Sequence, residues 1–201
     1  MKELLFATSN QAKVKQLQGV LAPIGISVIG VEKSQLPVVD EDGKTLQENA
    51  RKKALAYAKA FNRTVLAMDN GLYFDDLLPE EQPATHVRRI GHGTRDATDE
   101  EMLNYYADLV QRFGETIKGR WEFAICVATP AGELQETTVI SPRIFTKKVS
   151  SQIVPGYPLE SIQLDPDSGR YISEMSKEEQ DAFWLKVIGK KMQDFFKSIT
   201  F

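Results

Sequence analysis

The chain has 201 residues, of which 42% are hydrophobic, so it can build one ordinary core, and we expect a single domain over residues 1–201. A net charge of −3 and a pI of about 5.5 exclude the general basic field that holds nucleic acid. The only cysteine, Cys126, excludes an internal disulfide and a cysteine-based zinc site, and its apolar neighbours predict a buried thiol. Neither a signal peptide nor an apolar run of transmembrane length is evident, so we expect a cytoplasmic protein without nucleic-acid or membrane partners.

The first 21 residues predict a strand, a polar turn and a helix. A short apolar run precedes Thr8, and an amphipathic segment follows Lys13. Backbone N–H groups at the start of a helix attract anions, and Thr8, Ser9, Asn10 and Lys13 add donors and charge, which favours a cradle for a phosphate chain. The alternative is an ordinary helix cap at Ser9 or Asn10 with Lys13 in solvent. The glycine pattern of a Walker loop is absent.

The next elements are a strand over residues 26–31, an acidic loop over 35–44 and a helix from Thr45. Thr45 and Glu48 have the capping-box spacing, in which the glutamate reaches back to the N–H of the cap residue. A strand over residues 64–68 then leads into Asp69, Asn70 and Gly71. Asn-Gly between apolar runs predicts a tight hairpin turn, with Asp69 at its tip.

The second half of the chain predicts mostly antiparallel structure. A helix begins at Thr98, with a capping box to Glu101, and ends near residue 113. A hairpin over residues 121–129 and 134–140, a strand over 143–149 and a loop over 154–170 follow. The last helix begins near Ser176, with Glu179 completing a capping box. This order predicts an α/β fold with a central mixed β-sheet and flanking helices.

Three side chains outside the first turn are candidates for chemistry: Glu48, Lys53 and Asp69. Carboxylates near a phosphate cradle favour a Mg²⁺ site, and a carboxylate can also activate water. Each residue has an ordinary alternative. Glu48 can serve only as a helix cap or pair with Lys52, Lys53 can be a surface charge, and Asp69 can be a turn former.

The basic segment over residues 84–95 contains both histidines, His86 and His92, which we interpret as structural or surface residues because they lack metal-ligand spacing. Its arginines, Arg88, Arg89 and Arg95, can clamp a phosphate or simply form a solvated loop. The sequence contains no recognisable Ser-His-Asp or Cys-His arrangement.

Several ordered motifs resemble those of the inosine-triphosphate pyrophosphatase family, which hydrolyses non-canonical purine nucleoside triphosphates. The start, A-T-S-N-Q-A-K (residues 7–13), is similar to the family's AT-x-N-x-x-K, and T-L-Q-E-N-A-R-K-K-A (residues 45–54) resembles T-F-x-E-N-A-x-x-K-A. A-M-D-N-G-L (residues 67–72) resembles A-D-D-S-G-L. Residues 83–90 resemble the segment ending in Ser-Ala-Arg-Tyr, with Arg89 at the arginine, and residues 96–99 resemble the entry to the family's next helix.

The resemblance implies an α/β fold of the Maf–Ham type with two lobes around a cleft, a homodimer, and Mg²⁺-dependent attack of water that releases pyrophosphate and a nucleoside monophosphate. It implies that the triphosphate is held by Thr8, Asn10, Lys13 and Lys53. Ser9 and Asn70, which replaces a serine, are also expected to bind the substrate. It also implies metal ligation by Glu48 and Asp69, with Asp69 as the base. Arg89, Gly156 and Tyr157 are further expected substrate-binding residues.

Departures from the family pattern concentrate in the parts that read the base. One departure concerns the metal: the family has two adjacent acids where this chain has Met68-Asp69, so one carboxylate is missing, and we expect metal binding to be weakened or shifted elsewhere. In the base pocket, Pro158 stands where the family's F-G-Y-D-P loop has an aspartate. The family's K-x-x-x-S-H-R aligns with Gln180 and then Trp184-Leu185-Lys186, so all four side chains differ. We therefore expect an altered base specificity. Trp184 can stack on a base or pack in the core.

Three functions remain open from these residues. The first is a nucleoside-triphosphate pyrophosphatase. The second is a catalytically weak or silent nucleotide-binding module on the same fold, suggested by the missing acid and base-pocket residues. The third is a phosphatase that acts on another phosphate ester.

Overall fold

The computed structural model describes residues 2–200, apart from the side chains of Ala12 and His92, so the interpretation of His92 lies outside the described residues. Its strands and helices are β1 (Lys2–Phe6), α1 (Gln11–Leu21), β2 (Ile26–Ile29), α2 (Leu46–Phe61), β3 (Val65–Phe74), α3 (Asp99–Gln111), β4 (Thr116–Ala128), β5 (Leu134–Thr146), β6 (Gln163–Leu164), α4 (Lys177–Trp184) and α5 (Lys190–Ser198). None of these helices combines the length and apolar content needed to cross a lipid bilayer.

The six strands form one sheet in the order β2-β1-β3-β4-β5-β6. β1 pairs in parallel with both β2 and β3, whereas β5 and β6 are antiparallel. Parallel neighbours need a crossover, and α1 and α2 supply the crossovers on either side of β2. The expected mixed sheet with flanking helices is therefore confirmed.

The chain divides into two compact units, and the first comprises Met1–Asn70, Phe123–Val139 and Asp181–Phe201. Its core contains Leu4 and Phe6 of β1, the buried face of α1, and Ile188, Met192 and other apolar residues near the carboxyl end. The helical spacing predicted for α1 is confirmed, because the residues on its inner face are buried: Val14, Leu17, Val20 and Leu21. Cys126 is fully buried in the same unit, and burial first, then Glu136, raises the pKa of its thiol to about 12.

The second unit comprises Gly71–Glu122 and Ile140–Gln180 and has its own core. Phe74 and Phe145 meet edge to face in it, with ring centroids 4.9 Å apart. Tyr106 of α3 is buried, and its hydroxyl donates to the carbonyl of Val87 at 2.9 Å. The expectation of a single domain over residues 1–201 stays a prediction, with two compact units inside it.

Helix starts were predicted well, because caps are local. At α3, Thr98 Oγ1 accepts from the N–H of Glu101 and the carboxylate of Glu101 accepts from the N–H of Thr98, as the capping box requires. Ser176 and Glu179 make the same reciprocal pair before α4. Thr45 caps α2, but the box there is only half formed, because the carboxylate of Glu48 accepts from the N–H of Lys44 instead of Thr45.

The predicted hairpin at Asn70-Gly71 is wrong. β3 continues through Asp69, Asn70 and Gly71 to Phe74, and neither Asn70 nor Gly71 has the positive φ that a two-residue hairpin turn needs. β3 lies beside β4 in the sheet, and just past the predicted turn Leu72 forms an antiparallel bridge with Ala84, in which each N–H donates to the other's carbonyl. These partners, which are not local in sequence, favour an extended backbone over the local turn preference.

Other boundaries also differ from the prediction. The separate strand over residues 143–149 is wrong, because residues up to Thr146 belong to the long strand β5. The loop over residues 154–170 contains a 3₁₀ helix, Pro158–Ile162, and the short strand β6. The last helix is two α-helices, α4 and α5, joined by a π-helical stretch over Leu185–Gly189.

Candidate active site

The turn after β1 begins α1 with an asparagine cap. Asn10 Oδ1 accepts from the N–H of Lys13 at 3.1 Å, and its carbonyl accepts from the N–H of Val14. Thr8 Oγ1 accepts from the N–H of Asn10 at 3.2 Å. The cap interpretation is therefore confirmed for Asn10, while Ser9 and Asn10 remain exposed at the positive end of the helix. A cap and an anion cradle are compatible, because the two side-chain acceptors bind the N–H groups of Asn10 and Lys13, which are two of the four N–H groups without a helical partner at a helix start.

Lys13 lies next to Asn70, although 57 residues separate them in the chain. Its Nζ donates to Asn70 Oδ1 at 3.1 Å. Burial lowers the pKa of Lys13, as does the charge of Lys53, whereas Asp69 and Glu41 raise it by less. The interpretation of Lys13 as a solvated surface lysine is therefore wrong. An anion bound here would offset the cost of keeping its charge in this setting.

Lys53 of α2 joins two carboxylates. Its Nζ donates to Asp69 Oδ1 at 3.0 Å and to Glu41 Oε2 at 2.9 Å, and the residue is only 9% exposed. Burial lowers the pKa of Lys53, but Asp69 and Glu41 together outweigh burial, and its pKa is raised. Lys53 is thus a buried member of the cluster and not a surface charge.

Sequence reasoning missed Glu41. The run Asp40-Glu41-Asp42-Gly43 was interpreted only as the turn of a loop, since its composition is typical of turns. An available signal was its place in the loop that leads into α2, the helix that already supplied Lys53 to the expected site. A carboxylate in the loop leading into a helix can return to that helix's inner face, as Glu41 does here.

Asn49 was also missed, and it contacts Asp69 directly. It is 2% exposed, its Nδ2 donates to Asp69 Oδ2 at 3.2 Å, and its Oδ1 accepts from the N–H of Gly43 at 2.8 Å. Both oxygens of Asp69 therefore have a donor, Lys53 on one and Asn49 on the other. Asn49 was visible in the E-N-A motif, but the motif alone does not show what the amide contacts.

Glu48 has a different local role from Glu41. Its carboxylate accepts from the N–H of Lys44 at 2.6 Å, at the first turn of α2. The alternative pairing of Glu48 with Lys52 is not formed, because Lys52 binds Asp42. Within residues 2–200, apart from the two undescribed side chains, no three His, Cys, Asp or Glu residues lie together as a metal-binding group.

Met68 lies beside Asp69 in sequence but among different neighbours. Side chains alternate along a strand, so Met68 and Asn70 share one face of β3 and Asp69 lies on the other. Met68 packs against the apolar core of the first unit. A cavity of about 30 Å³ borders Met68, with Phe6, Phe123 and Ile188 among its walls and Lys13 and Asn70 at its polar side.

The other expected substrate residues belong to the second unit. Arg88 donates to Asp99 at 3.0 Å and to the carbonyl of Gly156 at 3.3 Å, and Asp99 accepts from the N–H of Gly156 at 2.6 Å. Both backbone polar groups of Gly156 are thus engaged, and its φ of +80° suits glycine. Arg89 is exposed, and its Nε lies 3.9 Å from Asp96 Oδ1. Tyr157 is half-buried. Three residues of the basic segment therefore have acidic neighbours: Arg88, Arg89 and Arg95.

The positions aligned with the family's base-reading side chains have structural partners here. Gln180 Nε2 donates to the carbonyls of Ile172 and Met175 within the second unit. In the first unit, Trp184 meets the edge of Phe123, with ring centroids 6.4 Å apart, and packs against the core. This arrangement favours the core interpretation of Trp184 over base stacking.

Residues 4–186 match the Ham1 family. The dITP/XTP pyrophosphatase of an Exiguobacterium species is 32% identical over 181 residues, covering 89% of this chain and 88% of the relative. That of Staphylococcus aureus (strain MRSA252) is 33% identical over 189 residues, covering 90% and 88%. Among solved structures, a HAM1 protein from Coxiella burnetii has the same fold, with a TM-score of 0.78 at 20% identity over 99% of this chain and 100% of that one. The expected family resemblance is confirmed, and the chain belongs to the Ham1 family.

Proposed function

We propose that this protein is a Mg²⁺-dependent nucleoside-triphosphate pyrophosphohydrolase, which releases pyrophosphate and a nucleoside monophosphate. The observation that carries the proposal is the cluster around Asp69, a carboxylate held by Lys53 and Asn49 in the same unit as Lys13 and Asn70. The relatives named dITP/XTP pyrophosphatases, about 30% identical over most of the chain, support the same reaction class.

The triphosphate would bind at the start of α1. Thr8, Ser9 and Asn10 surround an exposed helix N-terminus, where N–H groups and the helix dipole attract anions. Lys13 and Lys53 add two ammonium groups, and Asn70 adds an amide. Phosphate oxygens would take over the hydrogen bond that Lys13 now gives to Asn70. Arg89, Gly156 and Tyr157 remain proposed substrate contacts, and Gly156 would act there through its conformation because both its backbone polar groups are engaged.

Asp69 would act as the general base. A base must hold one orientation towards the water that it deprotonates, and two donors fix this carboxylate, one on each oxygen. The oxygen of the water would bond to phosphorus, its proton would pass to Asp69, and pyrophosphate would leave. Lys13 and Lys53 would stabilise the charge on the departing phosphates.

The donor set fits Mg²⁺, which proteins hold by one or two carboxylates together with substrate phosphate oxygens. Asp69 and Glu41 already converge on one cation, the ammonium of Lys53. We therefore favour Glu41 over Glu48 as the second ligand beside Asp69, since the carboxylate of Glu48 is engaged at the N-terminus of α2. The ion would neutralise phosphate charge during the displacement.

An altered base specificity is part of the proposal. Two features support it: the core packing of Trp184 and the engaged amide of Gln180. Because these two side chains are engaged within the protein, the polar groups of a purine that the family's side chains would bind are left without those partners, which costs affinity. A homodimer, a cytoplasmic location and one functional domain over residues 1–201 complete the proposal, and size-exclusion chromatography with light scattering would check the dimer.

A panel of triphosphates tests this function. Protein with Mg²⁺ would be given common, deaminated, oxidised and methylated nucleoside triphosphates, with pyrophosphate and orthophosphate read separately. We expect pyrophosphate from a subset of the panel, with kcat lowered by at least about 10³-fold in Asp69→Asn. Asp75→Asn is the matched control, because Asp75 also pairs with a cation, Arg120, but in the second unit.

Each other outcome has a distinct meaning. Orthophosphate as the only product would identify a phosphatase acting on another ester. Silence across the panel, together with melting shifts caused by nucleotides, would identify a binding module. Full activity in Asp69→Asn would refute the role of Asp69.

A further inference from the structure

We propose that Asn49 is a positioning residue, which orients the carboxylate of Asp69 and couples it to the loop that carries Glu41. The inference rests on the proposed function. Asn49 is 2% exposed and its side chain lies between two partners, with Nδ2 on Asp69 and Oδ1 on the N–H of Gly43. The sequence motifs assign it no role, and it lies behind Asp69 and not in the phosphate cradle.

The orientation of this amide follows from its neighbours. A backbone N–H can only donate, so the Asn49 atom 2.8 Å from the N–H of Gly43 must be the oxygen. The amino group is then directed at Asp69, which as a carboxylate can only accept. Reversing the amide would set donor against donor and acceptor against acceptor. The Gly43 bond therefore fixes the donor that holds Asp69.

Asn49 is better suited than Lys53 to set the direction of the carboxylate. An asparagine side chain has two rotatable bonds, whereas a lysine has four and adjusts to its partner. The burial of Asn49 removes competing water from its amide. The ammonium of Lys53 therefore stabilises the charge of the Asp69 carboxylate, and the amide of Asn49 sets its orientation.

The loop before α2 is attached to the helix residue by residue. Four consecutive residues each bind one residue of α2 in the pairs Glu41–Lys53, Asp42–Lys52, Gly43–Asn49 and Lys44–Glu48. Among the α2 partners, Asn49 is the most buried, and its amide continues the hydrogen-bond chain to Asp69. A shift of the loop would therefore move Glu41 and turn Asp69 together, which ties the two acidic groups into one assembly.

The approach of Gly43 to Asn49 leaves no room for a side chain on the loop. A Cβ at residue 43 would lie 2.5 Å from Asn49 Oδ1 and 2.9 Å from the Cβ of Glu48. The glycine is thus required by close approach to the amide and the helix, since its φ is not in the left-handed region. Because Gly43 has no side chain, its N–H can approach Asn49 Oδ1 and form the hydrogen bond that orients the amide.

Asn49→Asp separates the two contacts of the amide. Aspartate keeps an acceptor for the N–H of Gly43 but replaces the donor to Asp69 with a second carboxylate. The charged and titratable groups around this point are Lys53 and Tyr57 on α2, Lys13 on α1 and Glu41 in the loop. We expect kcat to fall by about 10²-fold, the typical cost of a misplaced catalytic group, with KM changed less than about threefold, because the buried Asn49 is not part of the proposed phosphate cradle.

Gln47→Glu is the matched control. It makes the same amide-to-carboxylate change on α2, two residues away, where the Gln47 amide donates to Thr138 Oγ1 at 2.9 Å. We expect its kcat and KM to equal those of the wild type. An equal fall of kcat in both variants would overturn the proposal, because the effect would then follow from added charge on the helix.

A melting series tests the contact independently of turnover. Asn49→Asp should melt below the wild type, and Asn49→Asp combined with Asp69→Asn should melt above the Asn49→Asp variant, because the exchanged pair restores one donor and one acceptor. A double variant that melts no higher than Asn49→Asp would overturn the contact. A wild-type protein without any pyrophosphatase activity would instead refute the proposed function, and the melting series would still decide whether Asn49 holds Asp69.

Discussion

Gly43→Ala is the sharpest probe of the loop before α2. The added methyl would lie 2.5 Å from Asn49 Oδ1, 2.9 Å from the Cβ of Glu48 and 3.1 Å from the N of Asn49. Two of these atoms belong to the framework of α2, which cannot yield locally. The loop must therefore withdraw, and the hydrogen bond from Gly43 to Asn49 is lost.

The size of the effect combines three contributions. Overpacking at such a site costs about 1–3 kcal/mol. Loss of the hydrogen bond adds about 1 kcal/mol. Alanine also lowers the conformational entropy of the unfolded chain, which offsets about 0.7 kcal/mol of this loss. The net loss of unfolding free energy is about 2 kcal/mol, which for a chain of this size lowers Tm by about 4–8 °C.

Urea unfolding and thermal melting would measure the loss, with Gly19→Ala as the control. Gly19 lies in α1 with no atom within 4 Å of an added Cβ, so alanine there should stabilise the protein by up to about 1 kcal/mol. The cost of Gly43→Ala should also shrink in an Asn49→Ala background, where the nearest clash is gone. An equal cost in both backgrounds, or a wild-type Tm for Gly43→Ala, would refute the reasoning.

Two further predictions concern the second unit. Burial raises the pKa of Glu160 from 4.5 to about 7, and the charge of Arg143 opposes this rise. The folded protein therefore binds this proton more tightly than the unfolded chain does. The resulting contribution to the free energy of unfolding is fully present below about pH 4.5 and is lost as the pH rises through about 7. Between about pH 5 and 8, the free energy of unfolding of Glu160→Gln, measured with urea, should rise relative to that of the wild type by about 1–3 kcal/mol. A difference between the two proteins that stays constant with pH would contradict this. Asp99→Asn should speed hydrogen exchange at the Gly156 amide about five- to tenfold, while unchanged protection would show that the Asp99 charge is unimportant there.

The sequence predicted those parts of the fold that depend on local chemistry. Thr98 and Ser176 cap their helices as expected, because a cap needs only its own four residues. The Asn70-Gly71 turn failed because β3 continues as a strand beside β4 and bridges Leu72 to Ala84, and these partners lie outside the local sequence pattern. A propensity scale contains no information about such partners.

The candidate site shows the same division. Lys13, Lys53 and Asp69 were identified through motifs, and the structure brings them into one cluster. Glu41 and Asn49 were missed because their relevance depends on where a loop returns to a helix. A local pattern identified the acidic run and the E-N-A segment but could not connect them. Met68 was interpreted as a missing ligand, whereas strand alternation directs it to the opposite face from Asp69.

Because β3 continues as one strand through Asp69 and Asn70, the candidate site depends on which face of the strand each of these residues occupies. Asp69 contacts α2 through Lys53, while the very next residue, Asn70, contacts α1 through Lys13. Inserting or deleting one residue in β3 before this pair would exchange the two faces, presenting the carboxylate to the apolar core and the amide to Lys53. An indel of two residues would preserve the faces and only move the pair along the strand. Insertions or deletions of two residues in β3 should therefore be tolerated, whereas those of one residue should be harmful, even where every individual side chain is retained.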